Sequence, residues 1–88
     1  MYLREKIMVV NDFELEVAFL GTNFGVDSLQ EYRNLLNYAV LKKAMGYSCG
    51  YTIESIMNRL RLVNRHGKVL KRGQKLLREE FYHLVSGK

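Results

Sequence analysis

The sequence predicts a mainly α-helical domain in which one helix leads through a short turn into a second, amphipathic helix, followed by a short β-hairpin and a closing helix. Three observations predict it. Apolar residues recur at helical spacing on both sides of the segment GYSCGY at 46–51. Two short apolar pieces, Leu60–Val63 and Lys68–Leu70, flank NRHG, where Gly67 is available for positive φ. From Lys71 the helical spacing resumes and continues to about Val85. A chain of 88 residues makes one domain, residues 1–88, and hides only about 60 to 65% of its unfolded surface. An apolar share of 48% suffices for a core.

Taken in order, residues 2–10 read either as an apolar strand or as the first turns of a helix that pauses at Asn11. The segment NDFELEVAFLG also supports two readings. Phe13, Leu15, Val17 and Phe19 alternate with Glu14, Glu16 and Ala18, which is strand periodicity. Asn11 with Glu14 three residues later is a capping-box spacing, Phe13, Val17 and Leu20 share one helical face, and Gly21 stands where a C-terminal glycine would. Helix is the reading adopted, with strand left open. Residues 21–26 form a loop from which Phe24 plugs the core.

Asp27 or Ser28 caps the next helix, Ser28 with Glu31 giving a second capping-box spacing, and that helix runs to about Met45. Its buried stripe is read as Leu29, Tyr32, Leu35 or Leu36, Ala39 and Val40, with Gln30, Arg33, Asn34 and Asn37 on the wet side. Lys42 and Lys43 complement the dipole of the last turn. After the turn, Thr52 caps a helix over 52–62, with Ile53, Ile56, Met57 and Leu60 on the face that must be buried. Ser55, Asn58 and Arg59 point the other way, with Tyr51 and Thr52 at the exposed N-terminal end. On the closing helix Leu77, Phe81 and Leu84 make the core face with Leu76 beside them, and Lys71, Lys75, Arg78 and Tyr82 form a basic stripe.

Charge is distributed unevenly. The net charge is +5, yet residues 1–44 hold five bases against six acids, and residues 45–88 hold nine bases against three. Between Arg59 and Arg78 stand eight Lys or Arg and no acid, a block that repels itself and indicates an anionic partner. A solvated basic face that keeps the protein soluble is the bland reading. Placement of the charge beside the polar helix face puts nucleic acid ahead of it.

Several chemistries are absent from the sequence. There is no Walker loop, dinucleotide fingerprint, HExxH or nucleophile elbow, so no enzyme and no cofactor is expected. One cysteine excludes an intramolecular disulfide, and Cys and His positions give no four-ligand metal set. Cys49 has no His beside it in sequence and reads as a passive turn residue, with His66 as a phosphate-contacting or solvated residue and His83 as a surface side chain. No long apolar run and no signal peptide is found, which points to a soluble cytoplasmic protein without a membrane partner.

The order helix, helix, TIESIMNRL, LRLV, NRHG, KVL and KRGQKLLREEF resembles small winged-helix proteins, whose closing segment has the spacing that Leu70, Gly73, Leu76 and Leu77 match. The resemblance covers about residues 28–80, and it implies a helix-turn-helix of winged-helix type that binds DNA. Small size, lack of proline and this layout also resemble open reading frames of bacteriophage or mobile elements.

A small transcriptional regulator that reads double-stranded DNA is therefore the first expectation. Thr52, Ser55, Asn58 and Arg59 would contact bases in the major groove. Arg61, Arg65, Lys68, Lys71, Arg72 and Lys75 would contact phosphates. A homodimer is expected, because one short helix reads too few base pairs, and Phe13, Val17, Phe19 and Leu20 are either its interface or a core face. The second expectation, from another class, is a protein-binding adaptor or a phage-type inhibitor of a host nucleic-acid enzyme. It rests on Tyr47, Tyr51 and Tyr82 as an aromatic patch among basic residues.

Overall fold

The computed structural model describes residues 8–85, with side chains through Phe81. The four helices are α1 (Asp12–Phe19), α2 (Leu29–Ala44), α3 (Tyr51–Arg59) and α4 (Lys71–Val85), and α2 packs against each of the other three. Residues 8–10 are irregular, and the strand-or-helix reading of residues 2–7 lies outside the described residues.

Local chemistry sets the helix starts. Asn11 caps α1 through a complete capping box, its Oδ1 accepting the Glu14 N–H at 2.8 Å while Glu14 Oε1 accepts the Asn11 N–H at 3.1 Å. The helix reading of 13–20 thus prevails over the strand reading. Ser28 caps α2 by accepting the Glu31 N–H, but the Glu31 carboxylate reaches past Ser28 to the Asp27 N–H. Gly50, not Thr52, is the N-cap of α3, and it offers no side-chain acceptor.

The ends of α2 and α3 are the same motif with different residues. Tyr47 N–H donates to Lys42 O and Gly46 N–H to Lys43 O, with Gly46 at φ 89°. Leu62 N–H donates to Met57 O and Arg61 N–H to Asn58 O, with Arg61 at φ 62°. The motif's apolar contact is served by Met57 and Leu62, both fully buried.

The expected β-hairpin and winged-helix fold are not formed. Between α3 and α4 a single isolated antiparallel bridge joins Val63 and Val69, and among the described residues there is no strand. The reason is local. Arg61 enters the left-handed region immediately before Leu62, and α4 begins at Lys71 immediately after Leu70, so no room remains for a ladder. Asn64 Oδ1 accepts the N–H groups of His66 and Lys68, which closes the turn on its side chain instead. The carbonyl of Leu62 then lies against Gly73 of α4, where a Cβ would stand 2.2 Å from it.

The core is built on Leu15, Leu36, Ile56, Met57, Leu62 and Leu76, all fully buried. Leu76 rather than Leu77 carries the centre of the α4 contact, and Leu77 is half-buried. Phe24 packs edge-on against Phe19 at a centroid distance of 5.6 Å. The wet side assigned to α2 needs correction, because Arg33 and Asn37 are buried. Arg33 donates to Val10 O at 2.7 Å and pairs with Asp12 Oδ1 at 2.6 Å, an arrangement that satisfies a buried charge through residues more than 20 positions away.

Candidate nucleic-acid interface

The start of α3 is held by an acid that lies one turn inside it. Glu54 Oε2 accepts the Cys49 N–H at 2.9 Å and pairs with Lys43 Nζ at 3.0 Å, so one carboxylate joins the last turn of α2, the connecting turn and α3. The Cys49 N–H, and after it Lys43, hold the Glu54 carboxyl below its ordinary pKa. Lys43 is thereby committed to the fold, and its Nζ also lies over Gly67, 3.2 Å from where a Cβ would be. No spacing rule pairs residues 11 apart, which is why this bridge had no signal in the sequence.

Ile53, Ile56 and Met57 are buried, so the opposite side of α3 is outward. On that side Tyr51, Glu54, Ser55, Asn58 and Arg59 line an open concavity of about 640 Å³, and Arg65 from the following turn closes it. Three of the four residues expected at bases therefore share one surface with one of the residues expected at phosphates. Thr52 is exposed but is not part of that lining. Asn58 donates one side-chain amide N–H to the Glu54 carbonyl of its own helix, which leaves its second N–H and its oxygen to meet a ligand. Arg59 is exposed.

Of the six residues expected at phosphates, Arg61, Arg65, Lys68, Lys71 and Lys75 are exposed, and Arg72 is not available. Its guanidinium donates to the carbonyls of Leu60 and Val9 and to both oxygens of Glu14, at 3.0 and 2.9 Å. That one side chain ties the end of α3 and the start of α1 to α4. Arg72, and secondarily the Asn11 N–H, hold the Glu14 carboxyl below its ordinary pKa despite some burial. Beside this clamp, Lys75, Arg78 and Glu79 line a second concavity of about 520 Å³ with Met8 and Val9.

Of the three tyrosines expected in an aromatic patch, Tyr47 and Tyr51 are exposed, and the Tyr82 side chain lies outside those described, as does that of His83. Cys49 is half-buried and directs its thiol at the Ala39 carbonyl, 3.6 Å away. Among the described residues no three His, Cys, Asp or Glu converge as a metal set would, and no helix is long and apolar enough to cross a membrane. Compared with known proteins, the chain matches no family model, no curated protein and no solved structure.

Proposed function

We propose that this protein binds duplex DNA and acts as a small sequence-specific regulator, in the cytoplasm and on the nucleoid, with the outward side of α3 against base edges in the major groove. The observation that carries the reading is the shared concavity of Ser55, Asn58, Arg59 and Arg65 on the side of α3 turned away from the core. Arg59 is the residue suited to bidentate contact with guanine, and Ser55 accepts or donates to either base edge. Asn58 contributes an acceptor and one remaining N–H donor. Arg61, Arg65, Lys68, Lys71 and Lys75 take the phosphates that fix the register. Glu54 lies in the same concavity, but Lys43 offsets its charge.

Fluorescence anisotropy with a random duplex and with duplexes recovered by selection, each at two salt concentrations, tests the reading. Five phosphate contacts give a log–log salt slope of about −4.5. Arg59→Ala should cost about 1 to 3 kcal/mol on the selected duplex and relax preference at one base pair, whereas Lys71→Ala should weaken every duplex alike. Equal loss on selected and random DNA for Arg59→Ala removes base reading. Absence of binding at low ionic strength favours the second reading, a protein-binding adaptor, which exposed Tyr47 and Tyr51 support.

A further inference from the structure

One group in the outward concavity of α3 carries the sign opposite to its charged neighbours. Glu54 lines that concavity together with Ser55, Asn58, Arg59 and Arg65. Its Oε2 takes both anchoring contacts, the Cys49 N–H at 2.9 Å and Lys43 Nζ at 3.0 Å, and among the described residues its Oε1 accepts no hydrogen bond. The carboxylate is also the outer pole of its ion pair, its side chain 33% exposed where that of Lys43 is 12% exposed. Because the contacts on Oε2 hold its pKa down, the group is ionised at neutral pH. The anchor occupies one oxygen, and the other is a charged acceptor on a surface whose remaining groups are neutral or cationic.

A carboxylate at this place weakens every encounter with phosphate. Only a hydrogen-bond donor on the partner offsets that cost. The major groove offers two such donors, the amino groups of cytosine and adenine. Beside the adenine amino group stands N7, an acceptor that repels a carboxylate, whereas cytosine presents its amino group with no acceptor of its own in that groove.

We infer that Glu54 Oε1 is a specificity-determining acceptor for the outward N–H of a cytosine amino group, and that its charge disfavours duplexes lacking cytosine at that place. The inference rests on the duplex-binding reading above and names one base of its target. Glu54 and Asn58 are four residues apart, about 40° round the helix and about 6 Å along it, so the cytosine lies within about two base-pair steps of the base that Asn58 meets. One side chain thus divides its work between two oxygens, Oε2 for the fold and Oε1 for selection.

Fluorescence anisotropy on duplexes selected by wild type tests this, with each cytosine replaced in turn by N4-methylcytosine. That base keeps its Watson–Crick pair and puts a methyl group where the outward N–H stood, and the protein is untouched. One such replacement should cost wild type about tenfold or more in affinity. Glu54→Gln keeps an oxygen for the Cys49 N–H and presents N–H groups in place of Oε1. It should therefore bind the plain and methylated duplexes within about twofold of each other, and bind random duplex a few-fold more tightly than wild type at low salt. Circular dichroism should show it folded. If wild type binds its selected duplex and no cytosine shows this dependence, the inference falls and the duplex reading stands. A tenfold penalty that persists in Glu54→Gln also overturns it, as does a folded Glu54→Gln whose affinity for random duplex does not rise. Failure of wild type to bind any duplex at low ionic strength removes the reading and the inference together.

Discussion

Helices α1 and α3 are built alike and finished differently. They have eight and nine residues, and each sends three side chains into the core, Leu15, Ala18 and Phe19 from one and Ile53, Ile56 and Met57 from the other. Each is also anchored by an internal glutamate that reaches a cation on another helix, Glu14 to Arg72 and Glu54 to Lys43. Their outward sides share nothing. One presents Phe13, Val17 and Leu20, and the other presents Tyr51, Ser55 and Asn58 flanked by Arg59. Folding fixes the inward side and the anchor. The outward side is free to vary, and the two differ in chemistry: one leaves apolar side chains in water, and the other sets hydrogen-bonding groups beside exposed cations, where the potential favours anions.

The largest expected effect comes from breaking the joint that presents the outward side of α3 next to α4. Gly73 is buried against the Leu62 carbonyl, and a Cβ there would stand 2.2 Å from that oxygen and 2.7 Å from Val69 Cγ1. Backbone occupies the space, so no rotamer change relieves the clash. Gly73→Ala should cost about 3 kcal/mol and lower the melting temperature by more than about 10 °C in thermal denaturation. A variant that melts with wild type would mean that α4 can slide without cost.

Exchanging the two outward sides sharpens the comparison. The double change Arg59→Ala with Arg65→Ala should weaken duplex binding by about 2 kcal/mol or more at low salt and leave the melting temperature close to wild type. Phe13→Glu, on the outward side of α1, should leave the affinity for a random duplex unchanged. Equal loss of binding in both variants would merge the two surfaces into one.

The two anchors predict the acid behaviour. Both carboxyls titrate below the ordinary 4.5 in the folded protein, Glu14 chiefly through Arg72 and Glu54 chiefly through the Cys49 N–H. A depressed folded pKa means that the stabilisation is present above about pH 4.5 and is lost as pH falls through the folded values. Both groups are partly exposed, so the effect is modest. Melting temperature should fall between about pH 5 and about pH 3, and Glu14→Gln with Glu54→Gln should flatten that fall. A slope unchanged in the double variant would assign acid sensitivity elsewhere.

The same anchors mark how far the sequence could be read. Helix starts at Asn11 and Ser28 were legible, because a cap and its acid lie three residues apart. The inward side of α3 was legible because period alone places Ile53, Ile56 and Met57, whereas on α4 the period points to Leu77 and the core centres on Leu76. Contacts that join distant positions were not. Arg33 reads as a surface residue until Asp12 and the Val10 carbonyl are brought to it, and Arg72 reads as one more member of a basic run until Glu14 claims it. The hairpin was over-read for the opposite reason. Its apolar pieces and glycine were real signals, but the left-handed turn at Arg61 and the immediate start of α4 leave one bridge where a ladder was expected.

Arg61 supplies the smallest and most diagnostic effect. It occupies the position that closes α3 at φ 62°, whereas the equivalent position of α2 holds Gly46 at φ 89°. Glycine adopts this conformation without the steric cost that a side chain carries, so folding alone favours Gly at both. Arg61→Gly should therefore raise stability by about 0.5 to 1 kcal/mol, seen as a higher denaturant midpoint with an unchanged slope. If the exposed guanidinium serves a phosphate, the same variant should bind random duplex more weakly and lower the salt slope by about 1. Gain in one measurement with loss in the other separates a residue kept for binding from one kept for folding. A more stable variant that binds DNA as wild type does would remove Arg61 from the contact surface and leave its backbone strain without a purpose.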